Sequence, residues 1–309
     1  MAIIWIDGAW HDETSAKVSV FDHGLLYGDG VFEGIRAYGG KIFRLDDHMD
    51  RLYDSARAIA ITVPYPKPEL TRLVEEALRR SGLADAYIRP IVTRGVGDLG
   101  IDPRKCERPS VMVIADRIRI WPPERYEQGL VVISAATPIP QRESLSPRVK
   151  SLNYLPHVLA KIEGNLAGAD EVLMLDPSGY VCEGSGQNIF VVKRSLLRTP
   201  PAYAGILLGV TRNAVIELAH EAGYEVREEI FNRYDVYTAD EAFLTGTASE
   251  IAPIKSYDGR TIGEGRAGPI TRDLMTRFHR LVRGAAISPD SPLPATERLR
   301  AETRSRAAS

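Results

Sequence analysis

Cysteine is nearly absent from the 309-residue chain, which carries only Cys106 and Cys182. Two cysteines so far apart supply neither a disulfide framework nor a zinc-ligand spacing. Long apolar runs are also missing, and none approaches the ~20 residues a membrane-spanning helix needs. Neither sign of charge dominates, because 39 basic and 41 acidic residues leave a net charge of -2. That balance gives no reason to expect nucleic acid or an anionic membrane as the main partner. The opening stretch MAIIWIDGAWHDE lacks the basic flank and long apolar core of a secretory signal. The expectation is a metal-free, cytoplasmic protein. Its 44% hydrophobic and 26% charged content is that of an ordinary globular chain, long enough for two domains or one large one.

What is present alternates between strand and helix patterns. The first residues read as a strand, a turn at Gly8 and a second strand. KIFRL (41–45) is strand-like, and Asp46 or Asp47 suits the cap of a helix carrying Met49, Leu52, Ala56 and Ile59. The next helix has Pro68 near its start, a stripe of Leu70, Leu73, Val74, Ala77 and Leu78, and Gly82 as its stop. AYIRPIVTRG and SVMVIAD read as paired strands. The Pro pair and charges of RIRIWPPERYEQG (117–129) break the pattern and read as an interdomain linker. After it come the strand LVVISAA, a hairpin EVLML–DPSG–YVCEG, the strand IFVVK and a Pro-containing loop. A helix from Thr211 to Ala222, the strand YEVREEI, the strand-to-turn segment EAFLTGTASEI and a helix over 269–282 complete the series. The expected division is a small α+β domain (1–116), the linker, a large α/β domain (130–286) and a disordered tail (287–309) rich in Pro, Ser, Ala and Arg. No internal repeat is present.

Lysine is scarce too, at eight residues, and one of them sits at a corner. In RVKSLNYLPHVLAKIEGN (148–165), Lys150 stands just before an amphipathic helix whose Leu155, Val158, Leu159 and Ile162 fall at i, i+3, i+4 and i+7. Asn153 or Ser151 suits its cap, and Pro156 is tolerated in a first turn. Alone, a boundary lysine is usually a solvated surface residue. Tyr154, however, follows about one helical turn later. Glu183, in VCEGSGQNIF, leaves an apolar strand at a Gly-rich turn, where a carboxylate either caps the turn or points into a cleft. GVTRNA (209–214) offers helix N-terminal N–H groups and a hydroxyl that suit a phosphate. LTGTASE (244–250) offers a second nest with the hydroxyls of Thr245 and Thr247. Each of these two reads first as a plain cap or turn. Together, a reactive lysine, a carboxylate, a phenol and phosphate-binding turns are what pyridoxal phosphate requires.

With these residues in place the chain resembles the class IV aminotransferases, pyridoxal phosphate enzymes of fold type IV, over residues 5–282. Within them it is most similar to the branched-chain amino-acid aminotransferases. The resembling segments are YGDGVFEGIRAY (27–38), HMDRLYDSA (48–56), AYIRP (86–90), KSLNYL (150–155), EGSGQNIF (183–190), GVTRNA and LTGTASEI (244–251). The resemblance implies two mixed α/β domains of the D-amino-acid aminotransferase-like fold, with the active site at the domain interface. It makes Lys150 the Schiff-base lysine and the acid/base between substrate Cα and cofactor C4′. Tyr154 then bonds the cofactor's ring oxygen and Glu183 its pyridine nitrogen. Arg51 binds the phosphate with the backbone of Val210 and Thr211 and with Thr247. Without the resemblance, Arg51 reads as a helix-surface arginine paired with Asp47 or Asp54.

By the same resemblance the substrate carboxylate lies near Tyr87, Arg89, Thr247 and Ala248. Strand alternation puts Tyr87 and Arg89 on one face, and forked arginine donors suit a carboxylate, although a cross-strand charge pair is the plain alternative. Phe32, Trp121, Tyr27 and Ile101 line the side-chain pocket, Tyr27 and Ile101 coming from a neighbouring subunit, so at least a homodimer is implied. Arg36 and the backbone of GDLGI are candidates for the polar end of glutamate. WPPERY keeps the family's tryptophan but has a Pro pair where the family usually has small residues. The implied activity is ping-pong transfer of the amino group of L-leucine, L-isoleucine or L-valine to 2-oxoglutarate. KSLN has a spacing also found in D-amino-acid enzymes, which keeps a D-amino-acid or (R)-amine transaminase as the alternative, while AYIRP argues for the first reading. An aminodeoxychorismate lyase and a non-enzymatic cofactor-binding protein stand further off.

Overall fold

The computed structural model describes residues 2–118 and 120–284, and the expected tail at 287–309 lies outside them. The chain forms two compact units that do not follow chain order. One comprises the chain up to Ile120 together with Pro140–Pro156, and the other comprises Trp121–Ile139 together with the chain from His157 onward. This differs from the contiguous division expected from composition. The Lys150 segment belongs with the first unit because its backbone completes a sheet there.

In the first unit β1 (Ile3–Ile6) and β2 (Ala9–His11) join through Gly8 at φ +105°, where a side chain would be strained. Then follow α1 (His23–Tyr27), β3 (Gly30–Phe32), β4 (Ile35–Tyr38), β5 (Lys41–Ile42), α2 (Leu45–Ala58), α3 (Lys67–Ser81), β6 (Ala86–Thr93) and β7 (Ser110–Asp116). The sheet runs β2-β1-β7-β6-β4-β5, with β3 also paired to β6. α3 forms as its stripe predicts, ending at Gly82 with φ +64°. Its Leu70, Val74, Ala77 and Leu78 meet Met49, Leu52 and Ala56 of α2 and Ile88 and Val113 of the sheet in one core. α2 starts slightly earlier than expected. Arg44 precedes it without a capping bond, and Asp46 and Asp47 lie in its first turn, where the helix dipole favours carboxylates.

β3 and β4 are one strand interrupted. Phe32 faces Ile91 and Ile35 faces Ile88, so Glu33 lies opposite Pro90, which has no N–H to give. Glu33 still donates its own N–H to Pro90 O at 2.9 Å. Along the other side of β3 runs the Lys150 segment. Phe32 N–H donates to Lys150 O (3.0 Å) and Leu152 N–H to Gly30 O (2.9 Å).

The second unit begins with Trp121 and α4 (Pro123–Gln128), so the expected linker is itself structured. It continues with β8 (Leu130–Ser134), α5 (Leu155–Leu166, belonging here from His157 onward), β9 (Glu171–Leu175), β10 (Val181–Gly184), β11 (Asn188–Lys193), β12 (Leu196–Thr199), α6 (Val210–Glu221) and β13 (Glu225–Glu228). α7 (Arg233–Tyr237), β14 (Glu241–Gly246), β15 (Glu250–Tyr257), β16 (Arg260–Thr261) and α8 (Pro269–Arg283) complete it. The sheet order is β10-β9-β8-β15-β14-β11-β12-β13, with β16 on β15. β8 pairs in parallel with β9 and β15, and β12 with β13; the other pairs are antiparallel.

Two findings depart from the sequence reading here. β12 and β15 were not anticipated. The apolar stripe of α5 points outward, with Leu155, Val158, Leu159 and Ile162 all exposed. The helix buries Ala160 and Gly164 instead. A Cβ on Gly164 would lie 2.7 Å from Val172 Cγ1, so the missing side chain is what lets the helix sit close on β9. Among the described residues no helix is long and apolar enough to cross a membrane, and no group of three His, Cys, Asp or Glu is placed to hold a metal ion.

Candidate active site

Lys150 is anchored before its side chain is considered. Its N–H donates to Ser55 Oγ of α2 at 3.1 Å, and its carbonyl accepts from Phe32. The amine donates to Tyr154 Oη at 3.2 Å and lies 4.7 Å from the centre of the Phe32 ring. Phe32 meets the Tyr154 ring edge-on at 5.1 Å, and the Arg89 guanidinium lies 5.1 Å from the Phe32 ring centre on β6. Arg89 in turn donates to Tyr87 Oη at 3.1 Å. The expected alternation holds: Tyr87, Arg89 and Ile91 face away from the core, while Ala86, Ile88, Pro90 and Val92 face into it. Five of the expected residues are therefore neighbours in one unit. Gly34 makes room for them, since a Cβ there would strike the Tyr87 phenol. Arg36 is the cross-strand partner of Tyr87 and stacks over Tyr38 at 4.9 Å.

Arg51 is not a surface arginine pairing with Asp47 or Asp54. It points to Glu33, with Nε to Oε1 at 2.6 Å and Nη2 to Oε2 at 2.9 Å. His48 Nδ1 donates to the same carboxylate at 2.8 Å, and Gly34 N–H at 3.3 Å. Glu33 and His48 are fully buried. Burial works against charge on Glu33, yet the Arg51 guanidinium and the bonds from Arg51 and His48 hold its carboxyl far below the usual 4.5. Burial pushes His48 below its usual 6.5, against the pull of Glu33. α2 thus turns His48, Arg51 and Ser55 inward at i, i+3 and i+7. Glu33, His48 and Ser55 did not stand out in the sequence, although Glu33 lies within YGDGVFEGIRAY and the other two within HMDRLYDSA.

In the second unit Glu183 is buried at the end of β10. Its Oε2 accepts the Leu207 N–H at 3.0 Å and Asn188 Nδ2 at 3.2 Å, while Asn188 also donates to Leu207 O at 2.8 Å. Asn188 is a further residue that the sequence reading did not single out. The same amide packs on Gly209, immediately before Val210 and Thr211, so Glu183 and the start of α6 share one support. No side chain caps α6. Thr247 and Ala248 form the turn between β14 and β15 and are part-exposed. Beside them Thr245 Oγ1 and Ser249 Oγ are buried without a hydrogen-bond partner. Trp121 packs in this unit's core against Tyr126, with its indole N–H on Asp170 O at 3.3 Å. Tyr27 and Ile101 lie on the exposed surface of the first unit, where Tyr27 Oη donates to Leu99 O.

Each unit by itself carries groups that suit pyridoxal 5′-phosphate. The first has an amine beside a phenol, and the second has a buried carboxylate held by two donors, an uncapped helix start and two hydroxyls lacking a protein partner. Comparison with known proteins agrees. The model of the amino-transferase class IV family matches residues 30–257, and the chain belongs to that family. Among curated relatives it is 54% identical over 275 residues to a protein named as a putative branched-chain-amino-acid aminotransferase of Methanocaldococcus jannaschii, covering 89% of this chain and 94% of the relative. It is 38% identical over 287 residues to the branched-chain-amino-acid aminotransferase of Escherichia coli K12, covering 91% and 93%. Among solved structures, the branched-chain amino acid aminotransferase of Thermobaculum terrenum in its holo-form with pyridoxal phosphate superposes with a TM-score of 0.81 at 32% identity, covering 91% of this chain and 93% of that one.

Proposed function

We propose that the protein is a pyridoxal 5′-phosphate-dependent transaminase that moves the amino group of L-leucine, L-isoleucine or L-valine to 2-oxoglutarate by a ping-pong mechanism. One observation carries the reading: in a chain of this family, the Lys150 amine is held 3.2 Å from the Tyr154 phenol and over the Phe32 ring. When bound, the cofactor supplies an aldehyde that condenses with amines and a ring that takes up the electron pair left when the Cα proton departs. Lys150 is the base that takes the Cα proton and later returns one. Tyr154 holds the Lys150 amine in place, and the Ser55 bond fixes the backbone beneath it. Glu183, with Asn188 and the Leu207 N–H, is the negative partner for the pyridine nitrogen. Arg51, with Val210, Thr211 and Thr247, is assigned to the phosphate.

Tyr87 and Arg89 are assigned to the substrate carboxylate together with Thr247 and Ala248. Phe32, with Trp121, Tyr27 and Ile101, supplies apolar surface for a branched side chain, at ~0.8 kcal/mol per CH₂ buried. That increment discriminates only modestly among leucine, isoleucine and valine. Arg36 is the candidate for the second carboxylate of glutamate. Exposed Leu25, Tyr27, Val96, Leu99 and Ile101 support the reading that a second copy of the chain covers this surface. A solved branched-chain amino acid aminotransferase complexed with N-(5′-phosphopyridoxyl)-L-glutamate, 38% identical to this chain, supports glutamate as the partner amino acid.

The deciding experiment follows the yellow absorbance of protein loaded with cofactor. L-leucine should bleach it rapidly, and D-alanine and (R)-1-phenylethylamine should not. Bleaching by either of the latter would move the assignment to the D-amino-acid or (R)-amine reading. Lys150→Ala should abolish transamination, and substantial turnover in that variant would sink the assignment.

A further inference from the structure

Glu33 is a fully buried carboxylate in the interrupted strand, bonded to His48 and Arg51 of α2. A charge in such a place is costly, and a buried ion pair can often be replaced by apolar residues without loss of stability. Stability alone therefore gives a weak account of it. Its geometry points elsewhere. Two N–H groups on one edge of the Arg51 guanidinium grip the two carboxylate oxygens, at 2.6 and 2.9 Å. A planar fork bound in this way is fixed in both position and tilt. The carboxylate is itself fixed by His48 Nδ1 and Gly34 N–H. With Nδ1 donating, His48 Nε2 is the acceptor side of a neutral ring, and it has no partner.

We propose that Glu33 is a positioning residue for Arg51, acting with His48 as a mount that presents the guanidinium to the cofactor's phosphate from one fixed place. This rests on the assignment of Arg51 to that phosphate. Without the mount, a four-bond side chain has to be ordered each time the anion binds, and that entropy is lost from affinity. The effect falls chiefly on the phosphate, because neither Glu33 nor His48 forms a hydrogen bond to Lys150.

The test compares two ligands in equilibrium dialysis against the apo-protein: pyridoxal 5′-phosphate, and pyridoxal, which lacks the phosphate. In Glu33→Gln, a shape-preserving change, the dissociation constant for pyridoxal 5′-phosphate should rise on the order of tenfold, the scale on which supporting residues act elsewhere. Pyridoxal binding should stay within about twofold of wild type, and in an Arg51→Gln background Glu33→Gln should add no more than about twofold. Where Glu33→Gln does not fold, His48→Leu decides, with a smaller loss that is again confined to the phosphorylated ligand. Equal weakening of both ligands, or a full effect in the Arg51→Gln background, would overturn the proposal and make Glu33 a structural ion pair only. Wild-type protein that failed to bind pyridoxal 5′-phosphate at all would refute the parent assignment, an outcome distinct from a phosphate-blind Glu33→Gln.

Discussion

Gly34→Ala places one methyl group where the structure has least room for it. A Cβ there would lie 2.8 Å from Tyr87 Cζ and 3.2 Å from Cε2, and nearer still to the hydroxyl. Ordinary contact begins at about 3.4 Å, so Cζ has to withdraw by about 0.6 Å and the hydroxyl by more. The ring is stiff, so the whole phenol tilts and its 3.1 Å bond from Arg89 opens. Overpacking of this kind costs about 1–3 kcal/mol of stability. Losing the displaced phenol's bond to the charged substrate carboxylate costs about 1.5–3 kcal/mol, which converts to a fall in kcat/KM of roughly ten- to a hundredfold. Because Tyr87 and Arg89 are assigned to a carboxylate present throughout the reaction, the loss should appear as a raised KM with kcat little changed. Urea unfolding and initial rates across leucine concentrations measure the two effects separately. Tyr87→Ala removes the obstruction, so adding Gly34→Ala to it should change stability by less than about 0.5 kcal/mol. A wild-type KM in Gly34→Ala that has lost stability would refute the placement of the carboxylate at Tyr87 and Arg89.

Acid should weaken the first unit through His48 before it reaches the carboxylates. His48 is depressed below its usual 6.5 by burial, so the stability it contributes is complete above that pH and is lost as the pH falls below it. Glu33, held below its usual 4.5, adds a second loss further down, and His48→Leu should remove only the upper one in urea titrations across pH. Gly209→Ala would drive a methyl group into the Asn188 amide that supports Glu183. Bound cofactor should then show weakened absorbance and a raised dissociation constant, while unchanged binding would dissociate Asn188 from the pyridine site. Glu241 caps α8 through Ile270 N–H (3.1 Å), Thr271 N–H (2.8 Å) and Thr271 Oγ1 (2.6 Å). Glu241→Ala should cost about 2–4 kcal/mol, readable as a lowered unfolding midpoint with kcat preserved.

How far these features were visible in the chain depended on whether local pattern and final packing agree. α3 was legible because a stripe, an early proline and Gly82 all point to one helix. The β11–β12 hairpin was not, because Arg194 and Ser195 turn it at φ +51° and +66° without the glycine or asparagine that usually marks such turns. β15 was hidden by Pro253, which normally argues against an interior strand. For α5 the periodicity was right and the direction wrong, since the small residues Ala160 and Gly164 won the close approach to β9. Lys150, Tyr154 and Glu183 emerged by combination, no single segment being decisive. Glu33 gave no signal of its own, because a carboxylate between Phe32 and Gly34 belongs to no periodic pattern and gains its meaning only from α2 folding across it. The discontinuous first unit was equally invisible, as composition follows chain order and contacts do not.

That discontinuity bears on how the protein is made. A ribosome releases the first 120 residues well before Lys150, and β8 of the other unit intervenes. The earlier unit must therefore wait, its β3 edge still unpaired, until Pro140–Pro156 has emerged to lie along it. A fragment cut at residue 120 would keep that edge but lack both its pairing segment and the amine. Producing that half by itself requires residues 140–156 to be joined to the first 120.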